Sequence, residues 1–216
     1  MQGLKRAALT LATAGLLSSG VAQAALFARG GGLIYDSDLN ITWLADANYA
    51  KTSGYDADGL MSWTAANTWA ANLTYGGYSD WRLPTALNQD ASGPCSGYNC
   101  TGSELGYMFY KNLGATAGTS VLLGTNTANL ALFTNLQTYA YWSGTVYAPS
   151  PAYYAWYFLT HNGLQYGTGD KGGELYAWAV RPGDVAAVPE PETYAMLLAG
   201  LGVLGFAARR RKQNAA

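Results

Sequence analysis

Polar and apolar positions change period along the chain. Residues 62–73, SWTAANTWAANL, put Met61, Ala65, Trp69 and Leu73 on one i+4 row, with Ser62 placed as N-cap and Gly76-Gly77 beyond the end. That pattern predicts a helix. Residues 104–113, ELGYMFYKNL, predict a second: Ser103 caps it, Glu104 suits the positive end of the first turn, Leu105, Met108, Phe109 and Leu113 face inward, and Gly114 ends it. Residues 26–45 break at the glycines of 30–32 and again near 38–40, which predicts short strands joined by turns. In the last third, YYAWYFLT, then His161-Asn162-Gly163, then LQY reads as a hairpin, because Asn-Gly is a strong short turn signal. Residues 174–182, ELYAWAVRP, are almost continuously apolar and read as a strand covered on both faces. The Thr-, Gly- and Asn-rich residues 115–135 read as a long loop, a usual place for a binding surface. The expected architecture is α+β: one compact domain with two helices and a late antiparallel sheet.

The ends follow other rules. Lys5 and Arg6 precede an apolar run over residues 7–17, and Ala22-Gln23-Ala24 is a small-x-small cleavage pattern, so residues 1–24 read as a secretory signal peptide and the mature chain is expected from Ala25. At the other end, residues 195–208 carry no charge and are followed by Arg209, Arg210, Arg211 and Lys212. Fourteen residues at about 1.5 Å rise span about 21 Å, a marginal anchor against about 30 Å of hydrocarbon. The basic cluster holds its side in the cytoplasm, which puts the domain outside. Gly200, Gly202 and Gly205 spell GxGxxG, but no strand precedes them, so close helix packing accounts for them better than dinucleotide binding.

Pro189-Glu190-Pro191, then a short hydrophobic stretch, then an Arg cluster resembles the PEP-CTERM sorting signal of Gram-negative bacteria, here over residues 188–212. The resemblance implies export across the inner membrane and recognition by an exosortase-type enzyme. It implies transient anchoring through a short transmembrane segment, then release or attachment at the cell surface, in company with exopolysaccharide production.

Between the ends, residues 25–187 form the expected working domain. It holds six Lys and Arg against eleven Asp and Glu, a net charge of −5. An acidic domain with no basic stripe argues against nucleic acid, whose binding rests on neutralising phosphates, and against anionic membrane surfaces. Cys95 and Cys100 lie in SGPCSGYNCTG, and in an exported chain such a pair is expected to form a disulfide. A zinc site would need a second Cys pair or more histidines than His161 alone.

The blocks YDSDLNITWLADANY, GGYSDWRLPT, YWSGT and YAWAVRPG occur in an order that resembles the Lcl C-terminal domain family, over residues 33–184. That family takes its name from the terminal domain of a bacterial collagen-like adhesin that binds sulfated polysaccharide. The resemblance implies a C-type lectin-like fold, related also to the formylglycine-generating group, and a carbohydrate- or matrix-binding module. The acidic balance departs from this pattern: it suits a neutral or cationic polysaccharide rather than a sulfated one.

Each candidate residue has a competing account. Asp80, Trp81, Arg82, Pro84 and Arg181 belong to the family motifs and read as structural, stitching loops to sheet through ion pairs, against the alternative of lining a site. Asp36, Asp38 and Asn40 match the first three ligand positions of a calcium loop, but Ile41 and Ala47 stand where its Gly and Glu belong, so turn chemistry competes with a calcium site here and at Asp56 and Asp58. His161 reads as an exposed turn residue. Among the aromatics of TVYAPSPAYYAWYF, Trp156 and Phe158 read as core, and Tyr147 and Tyr153, beside Pro149 and Pro151, as exposed ligand-binding candidates.

No GxSxG, HExxH or SxxK occurs, and there is no second histidine to serve as a base, so the chain reads as a non-enzyme. The expected function is that of an exported, exosortase-sorted protein contacting extracellular polysaccharide. Its rivals are a purely structural matrix component and an enzyme related to the formylglycine-generating group.

Overall fold

The computed structural model describes residues 26–185; the expected signal peptide, the sorting motif and the hydrophobic segment 195–208 lie outside them. Near the N-terminus, strands β1 (Leu26–Ala28), β2 (Leu33–Asp36) and β3 (Ile41–Leu44) form an antiparallel meander whose turns fall at the two predicted breaks. All four residues of β3 are buried. A short helix α1 (Tyr49–Thr52) and strand β4 (Leu60–Met61) lead to helix α2 (Trp63–Asn72), where Ser62 Oγ accepts the Ala65 N–H. Such a cap is worth about 1 kcal/mol. The buried stripe of α2 is Ala66, Trp69 and Ala70, so the predicted row is rotated: Ala65 and Leu73 pack only at its edge.

The second predicted helix forms in two geometries. Helix α3 (Glu104–Tyr107) is capped by Ser103 Oγ on the Gly106 N–H, and Met108–Asn112 continues as a π-helical turn closed by Leu113 N–H on Met108 O at 2.9 Å. The wider turn still buries Leu105, Met108, Phe109 and Leu113. Residues 115–135 are less irregular than expected: they contain a 3₁₀ turn (Val121–Leu123) and helix α4 (Thr127–Leu130).

The last third forms β5 (Ala140–Val146), β6 (Tyr154–Leu159) and β7 (Leu164–Asp170). The β6–β7 hairpin turns through His161-Asn162-Gly163; Gly163 sits at φ 85°, and a Cβ there would meet the rings of Phe109 and Tyr110. Residues 174–182 depart from expectation. They are two short strands, β8 (Leu175–Tyr176) and β9 (Val180–Pro182), in different sheets. Ala177, Trp178 and Ala179 between them are fully buried, so apolarity reports burial here and not strand geometry.

Two sheets result, in the orders β1-β2-β3-β9 and β4-β8-β5-β6-β7. The single sheet expected is therefore two, and the second is mixed, because β8 pairs with β5 in parallel. Trp178 lies in the crossing segment: its ring is 4.7 Å from Trp43, 5.1 Å from Phe133 and 5.9 Å from Tyr141, and its Nε1 donates to Leu44 O. No helix among the described residues is long and apolar enough to cross a membrane.

Candidate functional site

Charged residues of the sequence motifs engage one another. Arg82 meets Glu104 with two hydrogen bonds, Nη1 to Oε2 at 2.8 Å and Nη2 to Oε1 at 2.6 Å, and Glu104 Oε2 also accepts the Thr85 N–H. Arg181 meets Asp80 in the same two-point way at 2.8 and 2.9 Å, with its guanidinium 4.1 Å from the Tyr78 ring centre. That hydrogen bonding holds the Asp80 carboxyl below the usual range. Trp81 is buried with Nε1 donating to Tyr78 O, and the carbonyl of buried Pro84 accepts the Gly144 N–H of β5. These five residues tie segment 80–84 to α3, β5 and β9.

The three oxygen-bearing residues considered for calcium face different partners. Asp36 Oδ1 accepts the N–H groups of Asp38 and Leu39, and Oδ2 accepts Asn112 Nδ2 at 2.6 Å. Burial pushes the Asp36 carboxyl up, against those hydrogen bonds. Asp38 Oδ2 accepts the Tyr107 hydroxyl, whose pKa burial and that carboxylate push up to about 12. Asn40 sits at φ 51° and accepts the Tyr35 hydroxyl. Asp56 likewise accepts the Asp58 and Gly59 N–H groups. Among the described residues, no group of three or more His, Cys, Asp or Glu could hold a metal. In this geometry the clustered oxygens serve turns, because each side chain bonds backbone two or three residues on or a neighbouring side chain.

Cys95 and Cys100 form the expected disulfide, with Cα atoms 5.5 Å apart. Their loop is laid along β7 by reciprocal Gly97–Gln165 backbone bonds, and buried Gln165 donates Nε2 to Cys95 O at 2.8 Å. A polar cavity of about 350 Å³ near this loop is lined by Asp38, Thr85 and Glu104 among others. Its carboxylates are already committed to Tyr107 and to Arg82.

A different cavity has the chemistry of a ligand site. Across the five-stranded sheet, buried Trp142 of β5, half-buried Tyr157 of β6 and half-exposed Tyr166 of β7 stand opposite one another in register. A register shift between Ala155 and Tyr157 then brings Gly169 opposite Ala155. A Cβ at Gly169 would lie 2.7 Å from Trp142 and 2.8 Å from Tyr157, so only glycine lets those two rings pack this closely against β7. The cleft that results, about 310 Å³, is floored by Trp142, Tyr157 and Gly169 and edged by Tyr139, Leu159, Thr168, Asp170 and Leu175, with Ala140 and Gly173 completing it. Tyr139 is half exposed. Burial and the neighbouring Tyr166 and Tyr139 raise the Tyr157 hydroxyl pKa, so its O–H stays protonated and available to donate. Asp170 spends Oδ1 on the Gly172 N–H at 2.8 Å and pairs with no cation among the described residues. Concave, largely apolar walls with a few placed polar groups are the general form of a small-ligand site.

The aromatic candidates from sequence lie elsewhere. Tyr153 is 71% exposed in the turn before β6, and Tyr147 packs on Trp156 and Tyr154 over Gly167. Neither lines the cleft. Trp156 and Phe158 are buried, and His161 is exposed in its turn. Sequence reasoning missed Tyr139, Trp142, Tyr157 and Asp170. The one signal for them was YGTGD at 166–170, where glycines alternate along a strand and mark the close approach of neighbouring rings.

The described residues thus form an α+β domain built on two sheets. Residues 32–181 match the family model of the Lcl C-terminal domain, and the chain belongs to that family, which is of adhesin type. Residues 187–212 match the PEP-CTERM protein-sorting motif, which marks the chain for export and for recognition by an exosortase at the membrane. No curated protein matches the chain.

Proposed function

We propose that this protein is a non-catalytic, polysaccharide-binding module of the cell surface or extracellular matrix. In this reading residues 1–24 are removed on export and residues 25–187 form a C-type lectin-like binding domain. The tail 188–212 then anchors it transiently through residues 195–208 until Pro189-Glu190-Pro191 and the basic cluster at 209–212 have served sorting. The observation that carries the binding assignment is the cleft in which Tyr139 and Tyr157 meet Asp170 over a floor of buried Trp142. Flat aromatic faces match the apolar faces of sugar rings, and a carboxylate accepts from sugar hydroxyls.

Electrostatics narrow the ligand. Of the six cations in the domain, Arg29, Arg82 and Arg181 are paired with carboxylates, and Lys171 donates to Pro151 O and lies 4.0 Å from the Trp63 ring centre. The domain therefore offers little to a sulfated chain and suits a neutral or cationic one. The test is calorimetric titration of the full chain, in a detergent without a sugar headgroup, with the exopolysaccharide of the producing cell, with and without a calcium chelator. Saturable binding that survives the chelator and weakens in Tyr139→Ala is expected. Absence of binding in both conditions would leave the protein as a structural matrix component.

A further inference from the structure

The two residues of β8 face different cavities. Leu175 lines the aromatic cleft, and Tyr176 lines a second cavity of about 350 Å³ with Asn48, Asp58, Asn135 and Gln137 among its walls. Tyr139, at the edge of the first cavity, meets Tyr176 of the second edge-on, with ring centres 6.3 Å apart. The two cavities therefore share an aromatic ridge made of one residue from each.

Their chemistries are complementary. The first offers ring faces. The second offers hydrogen-bond acceptors whose orientation is already set: Asn135 Nδ2 is held by Asp46 Oδ2 and Thr52 Oγ1, and Gln137 Nε2 by Asn135 O at 2.7 Å. Asn135 Oδ1 and Gln137 Oε1 then carry no hydrogen bond among the described residues. Preset acceptors facing a cavity fit hydroxyl donors and disfavour sulfate or carboxylate groups, which bring only acceptors of their own. Lys51 is the one cation on the walls of this cavity.

Building on the polysaccharide reading above, we infer that the two cavities are subsites for one glycan chain, bound along its length across the Tyr139–Tyr176 ridge. The chain is hydroxyl-rich and free of acidic groups; its rings stack in the aromatic cleft and its hydroxyls donate to Asn135 and Gln137 in the second. Two weak sites linked by one ligand gain affinity through effective concentration, without either site becoming tight alone.

The experiment uses oligosaccharides cut from the producing cell's exopolysaccharide and fractionated by length, titrated into the full chain alongside the intact polymer. Affinity is expected to rise at least about tenfold from the shortest binding fragment to a length at which it levels off. Gln137→Ala is expected to remove that rise and to leave the affinity for the shortest fragment unchanged, with an unchanged melting temperature confirming the fold. Equal affinity at every length, or an equal loss at every length in Gln137→Ala, overturns the two-subsite inference and leaves the binding reading standing. If the intact polymer does not bind, both fall together.

Discussion

The two sheets use the same residue types to opposite ends. In and around the β1-β2-β3-β9 sheet, tryptophans are sealed and charges are matched: Trp43 and Trp178 are fully buried, and Arg29–Asp184 and Arg181–Asp80 close on each other with two hydrogen bonds each. Around the β5-β6-β7 region Trp142 is sealed as well, but Tyr139 and Tyr166 are half exposed, and Asp170 pairs with no cation among the described residues. Motif residues concentrate in the first region and the ligand-like surface in the second. An arginine and a carboxylate that satisfy each other have little left to offer a ligand, whereas an exposed ring beside an unpaired carboxylate does.

The sharpest way to break this contrast is Trp178→Ala. The side chain lies in the segment that crosses between sheets, so its removal should cost about 3–5 kcal/mol in urea denaturation. Binding should disappear with the fold and not separately from it. A variant that stays folded and loses only binding would contradict the division of labour drawn here.

Glu104→Ala should have the next effect. It leaves Arg82 and the Thr85 N–H without their acceptor; because the Arg82 side chain is 40% exposed, water recovers part of the loss, and about 2 kcal/mol is expected. Glycan affinity per folded molecule should be unchanged by calorimetry.

Tyr139→Ala tests the other region. Stability should move by no more than about 0.5 kcal/mol, since the ring is half exposed. Affinity for the exopolysaccharide should fall about tenfold, near 1.4 kcal/mol, the scale of one stacked ring.

The smallest effect is in the pH dependence. Asp80 and Asp184 have carboxyl pKa values lowered by their arginines, so their contribution is present above the unfolded pKa and is lost as pH falls through the folded one. Asp36 runs the other way: its pKa is raised by burial, so its contribution is present below the unfolded pKa and is lost as pH rises through the folded value. Stability followed by thermal melting should therefore decline on acidification through the ordinary carboxylate range. The decline should be shallower in Asp80→Asn and steeper in Asp36→Asn.

Local signals carried a good part of the fold. The N-caps Ser62 and Ser103, the stop at Gly114, the glycine turns around β1 to β3 and the Asn-Gly hairpin all depend on residues within a few positions of one another, and all are where the sequence places them. The Cys95–Cys100 bond is equally local, spanning a separation of five residues. Patterns of apolarity determined burial but not geometry: residues 177–179 are as buried as any strand and belong to none. The partners of Arg82 and Arg181 lie 22 and 101 residues away, and nothing in the spacing of acids along the chain names them.

By itself the sequence determined the chain's family and its sorting signal, since family blocks and a sorting tail are written in contiguous residues. Tertiary structure alone decided where a ligand could sit. The cleft gathers Tyr139, Trp142, Tyr157, Asp170 and Leu175 from β5, β6, β7, β8 and the turns beside them, and its floor is shaped by a shift in strand register that sets Gly169 against two aromatic rings. Register is a property of pairs of strands, and no single strand contains it.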